Sequence, residues 1–244
     1  MMKKVMIVLL CFTAMIAANA NGSVLKWYND VDYAAGSLNQ TFNNIDGSGV
    51  NINFQWSGNV TGGSGPNRLL AGLPDDDAPK TQFDMSGLWY AANFASYPNE
   101  FVSVTMTFSQ PVYNVSFHLY DIDGVTPMLE KTRVKGFLNG VPTLPSSSGS
   151  GADVLIQVVP VDNDPTTDDG LIFWNNGYSD NTPPTLANEG WLTFNGPINQ
   201  IGLQFKAAPG ADRGQIMGDI SFVPEPATMV LLGLGALVLR RKKA

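Results

Sequence analysis

Two carboxylates at the end of a predicted strand are the residues best placed to bind a cation. Asp121 and Asp123 follow an alternating apolar and polar stretch, and residues i and i+2 of an extended chain lie on the same face. Both carboxylates can therefore approach one oxygen-preferring cation such as Ca²⁺. Asp219 in the final predicted strand, with Asp30 or Asp32 near the start of the body, completes the set. These acids predict a structural calcium, and no other cofactor is expected.

The same acids have an ordinary structural interpretation. Asp121 and Asp219 can cap turns, or they can pair with basic residues such as Lys131, Arg133 or Arg213. Aspartate is common in turns because its side chain hydrogen-bonds to nearby backbone. The sequence alone does not decide between ligation and turn formation.

Few residues have the chemistry or the setting that catalysis requires. The single histidine, His118, lies in mid-strand between Phe117 and Leu119, which leaves a Ser-His-Asp arrangement without a base in a loop. A zinc site would need clusters of His and Cys, and the sequence has one of each. A glycosidase needs two opposed carboxylates, and no local motif marks such a pair. The chain is predicted not to be an enzyme, with a polysaccharide hydrolase as the least favoured alternative.

Aromatic residues near predicted loops suggest a second kind of site. Trp89 with Tyr90, or Trp174 with Tyr178, can present flat faces to sugar rings. Core packing competes with this interpretation, because aromatic side chains contribute large buried areas. A carbohydrate-binding module is therefore the main alternative to a structural or adhesive role. Packing in the core is favoured for Trp56 and Trp174, and it is left open for Trp27 and Trp89.

The charge of the body narrows the class of partner. Six of the 14 Lys and Arg residues and one of the 21 acidic residues lie in the two terminal segments, 1–20 and 224–244. The body, 21–223, keeps 8 basic and 20 acidic residues, a net charge of −12. Nucleic-acid binding depends on neutralising phosphates with Lys and Arg. Nucleic acid is therefore not an expected partner.

Alternation of apolar and polar residues predicts the strands that must position these groups. It is clear over 50–56, 102–108 and 115–120, and strict alternation is typical of a half-buried strand. Pro111 separates the last two stretches at a predicted turn or bend. The short apolar runs 171–174 and 191–194 are interpreted as buried strands. About nine strands with Gly, Asn and Pro turns predict an all-β fold, an antiparallel β-sandwich of jelly-roll type.

The amino-terminal segment has the features of a secretory signal. Lys3 and Lys4 precede an apolar run that ends at Ala18, and Ala18-Asn19-Ala20 offers a small-x-small cleavage pattern. Residues 1–20 are predicted to be a helical signal peptide handled by the Sec translocon and signal peptidase. The single cysteine lies within it, so stability must come from burial and not from disulfides.

The carboxy-terminal segment has three parts in a fixed order. Pro224-Glu225-Pro226 fixes φ twice and is expected to interrupt regular structure and hold the chain extended. The uncharged run 227–239 would form a helix of about 20 Å, short of a hydrocarbon core of about 30 Å. Arg240, Arg241, Lys242 and Lys243 are expected to hold the end of the chain on the cytoplasmic side of the membrane.

This order of Pro-Glu-Pro, short apolar helix and basic cluster resembles the PEP-CTERM sorting signal. The resemblance implies that an exosortase, a membrane cysteine transpeptidase-like enzyme, cuts near the triplet and releases or transfers the exported protein. It also implies transient anchoring of the chain by the tail helix, followed by a cell-surface or extracellular location linked to exopolysaccharide and biofilm. The chain then divides into a signal peptide (1–20), a β-sandwich domain (21–223) and a sorting tail (224–244).

The body carries a second resemblance. The segments 35–54, 107–124 and 196–222 look like a domain common in secreted and surface proteins of bacteria. That domain is similar in outline to carbohydrate-binding jelly rolls, in which a structural calcium ties the first and last strands together. Asp219 resembles the acidic residue used there. The resemblance implies a single domain without an assigned activity.

Overall fold

The computed structural model describes residues 22–27, 37–59, 87–95, 99–122, 130–161, 169–175, 186–207 and 209–225. Within these ranges the chain forms strands and two short 3-10 helices, and every strand pair is antiparallel. The strands are β1 (Ser23–Leu25), β2 (Asn39–Phe42), β3 (Ile52–Gly58), β4 (Leu88–Phe94), β5 (Val102–Tyr120), β6 (Lys131–Leu138), β7 (Val141–Thr143), β8 (Ser147–Ser150), β9 (Val154–Val159), β10 (Gly170–Asn175), β11 (Gly190–Phe194), β12 (Ile198–Lys206), β13 (Gly210–Met217) and β14 (Ile220–Pro224). The 3-10 helices are Ile45–Gly47 and Leu186–Asn188.

Strand β5 is the element on which the fold is organised. Its first part pairs with β3 and β12, and its last part pairs with β11, β13 and β14. Pro111 lies where the partners change, after the β3 ladder ends at Phe108 and before the β14 ladder reaches Val112. A proline is tolerated at this point because no continuous ladder needs its missing N–H. The strand is continuous, so the predicted break is a bend and not a turn.

A β-bulge at Asn114 changes which residues of β5 face the core. Asn114 has a φ of 50°. Here β14 advances by two residues, from Ser221 to Val223, while its partners on β5 are three residues apart, Ser116 and Tyr113. The extra residue reverses the alternation. Buried side chains therefore fall at even positions from Val102 to Phe108 and at odd positions from Val115 to Leu119.

The bend in β5 divides the continuous hydrogen-bonded sheet into two halves. We call half-sheet 1 the order β2-β3-β5-β12-β6-β10-β9, in which the first part of β5 takes part and β7 extends β6. We call half-sheet 2 the last part of β5 with β14 and β13 along one side and β11 then β8 along the other. Strand β1 pairs with the far side of β14, and β4 pairs with β13. The first and last strands of the body are thus neighbours.

The two half-sheets pack face to face around an aromatic core. Tyr90 of β4 lies 5.1 Å from Trp56 of β3 and 6.0 Å from Phe205 of β12, measured between ring centroids. At the other end, Gly136 of β6 lies under Phe194 of β11, and a Cβ at this glycine would come within 2.6 Å of the ring. A glycine is needed where facing layers approach this closely. The prediction of an all-β antiparallel sandwich is confirmed, and its strand order is non-sequential.

Two local predictions have different outcomes. The hairpin before 50–56 is confirmed, because β2 and β3 pair from Asn39 with Gln55 to Phe42 with Ile52. The interpretation of 191–194 as a wholly buried run is wrong: Leu192 and Phe194 face the core, while Trp191 is 38% exposed. The segment is an alternating strand in which Thr193 shares the outer face with Trp191.

The predicted flanking helices, the signal segment 1–20 and the tail helix 227–239, lie outside the described residues. Among the residues that the structure does describe, no helix has the length and apolar character needed to cross a membrane.

Candidate functional site

The first and last strands are joined by Trp27, which lies two residues after the end of β1. Its backbone N–H donates to Oδ1 of Asp219 at 3.1 Å, and its indole N–H donates to the carbonyl of Gly218 at 2.9 Å. The indole is buried and packs edge-on against Phe42 and Phe54. Asp219 therefore lies at the junction that the sequence indicated, and there it accepts a hydrogen bond from the backbone.

The predicted calcium ligands are only partly placed. Asp121, with a φ of 65°, follows β5, and Asp219 lies between β13 and β14. Asp123, Asp30 and Asp32 lie outside the described residues. Within the described ranges no group of three His, Cys, Asp or Glu side chains is arranged to hold a metal ion. The calcium site stays a prediction.

An aromatic cluster lies on the outer face of half-sheet 2, and we define it as Tyr120, His118 and Trp191. The imidazole of His118 is nearly parallel to both neighbours, with centroids 5.7 Å from Tyr120 and 6.2 Å from Trp191 and interplanar angles of 23° and 25°. His118 and Trp191 are direct cross-strand partners, and Tyr120 follows two residues along the same strand. The His118 side chain is 47% exposed. The histidine therefore lies on the exposed face of β5.

Carboxylates border the aromatic cluster. Oε2 of Glu189 lies 3.3 Å from Nδ1 of His118. Burial raises the pKa of the Tyr120 hydroxyl, and the charges of Glu189 and Asp219 raise it further. The phenol is therefore a protonated donor at neutral pH, in the field of two carboxylates.

Sequence reasoning missed Trp191 as a surface residue. The sequence does contain a signal for its exposure: in Trp191-Leu192-Thr193-Phe194, the polar Thr193 lies two residues after Trp191 and so on the same face of the strand. The overall hydrophobicity of this short run obscures its period of two.

The aromatic pairs expected to bind sugar are not available in the described structure. Tyr90 is buried, where its hydroxyl donates to Oε1 of Gln215 at 2.9 Å. Trp56 is in the core as predicted, and Trp174 is half-buried with a buried indole nitrogen. Trp27, which the sequence left open, is also in the core. Tyr178 and the side chain of Trp89 lie outside what the structure describes.

The buried Tyr90 makes the free energy of unfolding depend on pH in the alkaline range. Burial, and secondarily the charge of Glu130, raises the pKa of Tyr90 well above its usual value of about 10. Above that pH the unfolded chain releases this proton while the folded chain retains it, so the free energy of unfolding should fall as pH rises. We expect Tyr90→Phe to cost about 1 kcal/mol at neutral pH and to make the alkaline fall shallower. Urea unfolding at roughly pH 8 to 11 measures both, and equal slopes in the two proteins would refute the assignment.

A groove of about 390 Å³ lies on the outer face of half-sheet 1. Its floor includes Arg133 and Lys135 of β6, and Nζ of Lys135 contacts Oδ1 of Asp169. Gln200 and Gln204 of β12 lie beside them. Because these groups are polar and two are cations, the groove differs in chemistry from the aromatic cluster, which carboxylates border.

The sorting triplet begins inside the sandwich. Pro224 is the buried last residue of β14 and pairs with Val112 of β5, and Glu225 follows it half-buried. We expected the triplet to interrupt regular structure, but a proline at the end of a strand removes only one donor and can remain in the ladder. Pro226, the run 227–239 and the basic residues Arg240, Arg241, Lys242 and Lys243 lie outside the described residues.

Together, the fold and the position of this triplet define an all-β sandwich protein whose last strand continues directly into a sorting signal. Residues 222–243 match the family model described as the PEP-CTERM protein-sorting motif. The chain is a PEP-CTERM-containing protein, exported and targeted to exosortase. Neither the curated proteins nor the solved structures gave a match to this chain.

Proposed function

We propose that this protein is an exosortase-processed component of the cell surface or extracellular matrix, and that its sandwich acts by structure and adhesion. The observation that carries the proposal is the continuity of the sandwich with the PEP-CTERM motif, because the motif begins at Phe222 within β14. Delivery of the tail to an exosortase therefore delivers a folded β domain with no intervening linker.

The proposed route uses both terminal segments. The Sec translocon exports the chain, and signal peptidase removes residues 1–20 by cutting between Ala20 and Asn21, with Ala18 in the recognition pattern. The tail 227–239 then holds the protein in the inner membrane for a time, with its basic end on the cytoplasmic side. Cutting near the triplet transfers the domain to the surface or releases it, where extracellular polysaccharide and biofilm matrix are its proposed surroundings.

A non-catalytic role fits the surroundings of the single histidine. His118 is stacked between two aromatic rings and exposed on a strand of a rigid sheet. Its nearest acid, Glu189, is a partner at 3.3 Å, and this pair alone provides no nucleophile. Adhesion needs rigid surface and exposed contact groups, and the sandwich supplies both.

Carbohydrate binding, with calcium as a structural ion, is the second candidate. The aromatic cluster favours it, because Trp191 is a large aromatic side chain exposed on a sheet face. Calcium at the predicted ligands Asp121, Asp123, Asp219 and Asp30 would act by stabilising the fold. If the ion binds, chelation should lower the melting temperature of the protein.

Deletion of the gene and complementation test the proposed function. We expect cells lacking the protein to form less attached biomass, and we expect the full chain to restore it. A chain that ends at Glu225 keeps β14 intact but lacks the tail, and it should fail to restore attachment and be missing from the matrix fraction. Full restoration by the truncated chain, or polysaccharide cleavage by the purified protein, would contradict the proposal.

A further inference from the structure

We propose that Tyr120, His118 and Trp191 form a binding site for a neutral glycan chain on the outer face of half-sheet 2. The inference rests on the proposed extracellular function and adds to it a location, a ligand class and the residues that make contact. The described members of the aromatic pairs selected from the sequence do not supply such a surface, since Tyr90 is buried and Trp174 is half-buried.

The geometry of the aromatic cluster is held by the strands beneath it. Gly149 of β8 is the cross-strand partner of Trp191, and a Cβ at this position would overlap the indole ring. The indole therefore lies against the bare backbone of β8. Gly218 has the same role beneath Tyr120, because a Cβ there would lie 3.0 Å from the phenol ring. Two glycines thus leave room for the two outer rings, and His118 packs between them.

The groups around the rings are polar. By strand register, Thr193 and its partner Ser147 lie next to Trp191 on the same face, and the hydroxyls of Ser116 and Ser221 contact each other at 2.6 Å. The core of a docking surface for another protein is depleted of charged residues, whereas here the carboxylate of Glu189 lies 3.3 Å from the central ring of the cluster, His118. An aromatic face bordered by hydroxyls and carboxylates instead suits a ligand with apolar C–H faces and many hydroxyl groups, which is a sugar.

Charge selects among glycans. Glu189 lies beside His118, and the charges of Glu189 and Asp219 both act on the Tyr120 hydroxyl. A uronic acid or a sulfated sugar would bring a further negative charge to this place, where like charges repel. Hydroxyl groups of a neutral sugar can donate to these carboxylates and accept from the protonated phenol. The site is therefore assigned to neutral chains.

Binding of glycans to the full-length protein tests this inference. The probes are immobilised neutral hexasaccharides of glucose, mannose and N-acetylglucosamine, the neutral fraction of exopolysaccharide from the producing cells, and an alginate hexasaccharide as the acidic comparison. We expect binding to at least one neutral probe and weaker binding to alginate. Trp191→Ala should weaken the neutral interaction about tenfold or more, a loss equivalent to about 1.4 kcal/mol, whereas Trp191→Phe should keep most of it.

Two further variants separate loss of the ring from loss of the fold. Gly149→Val leaves Trp191 in the chain but displaces its ring, and it should weaken binding as Trp191→Ala does. Val141→Ala removes an exposed apolar group from β7, which extends half-sheet 1, and should bind like the wild type. Circular dichroism melting checks that each variant folds.

The opposing results are distinct. Absence of binding to every neutral probe, or binding that Trp191→Ala leaves unchanged, would overturn the glycan site. If the protein is still sorted to the matrix and still supports attachment, the proposed function stands without this site. If the protein is not sorted at all but binds the neutral probe through Trp191, the site stands and the proposed function fails.

Discussion

Trp27→Ala is expected to lower the free energy of unfolding by about 3 to 5 kcal/mol, the range observed when a buried Trp or Phe side chain is removed. The indole is 1% exposed and packs edge-on against Phe42 at 5.9 Å and Phe54 at 5.3 Å. Loss of the indole would also leave the Gly218 carbonyl oxygen without the hydrogen bond that it accepts from the indole N–H. Urea unfolding followed by intrinsic fluorescence measures the difference, because other tryptophans remain.

Trp27→Phe is the matched control for this prediction. It keeps an aromatic ring in the cavity and removes the indole N–H donor to Gly218, so we expect a smaller loss of about 1 to 3 kcal/mol. If Trp27→Ala unfolds at the same urea concentration as the wild type, the junction between the first and last strands does not hold the sandwich as described.

Replacing Glu225 and Pro226 together by Ala is expected to abolish most processing of the tail. The triplet belongs to the PEP-CTERM motif at 222–243. Its first residue, Pro224, is also part of β14, where it pairs with Val112. Leaving Pro224 in place keeps the last strand intact, so a processing defect cannot be attributed to a damaged sandwich. We expect the uncut form to accumulate in the membrane fraction, where immunoblotting against the body distinguishes it from the cut form by size.

Val158→Ala provides the control for processing. Val158 is 59% exposed on β9, far in sequence from the tail, and its replacement should leave the cut fraction unchanged. Cutting of the Glu225 and Pro226 double variant at the wild-type level would mean that the triplet is not what the processing enzyme recognises. In that event the sorting role would have to lie elsewhere in 222–243.

The strands could be predicted where apolar and polar residues alternate over a long stretch. The β-bulge, where pairing with another strand reverses this alternation, could not. The stretches 102–108 and 115–120 were identified as strands because each alternates cleanly. Their union into one strand was not foreseen, since Pro111 is compatible with either a turn or a bend. The bulge at Asn114 depends on a positive φ that asparagine tolerates but does not require. Its position is fixed by the neighbouring strand β14, which local sequence does not reveal.

Prediction of the candidate site was limited by the same non-local pairing. Asp219 was expected near the first strand, and it does lie beside Trp27. Trp191 and Gly149 become neighbours only when β11 pairs with β8, and His118 joins them only through β5. Composition indicates that aromatics are present, but which of them is exposed depends on the register of strands distant in sequence.

The mass of the protein recovered from the cell surface and medium tests the central claim most directly. We predict a chain that begins near Asn21, retains the β-sandwich through Pro224, and lacks the apolar run 227–239 and the basic residues after it. Intact-mass spectrometry with sequencing of the terminal peptides determines both ends. Recovery of the full-length, unprocessed chain from the cytosol would contradict the account.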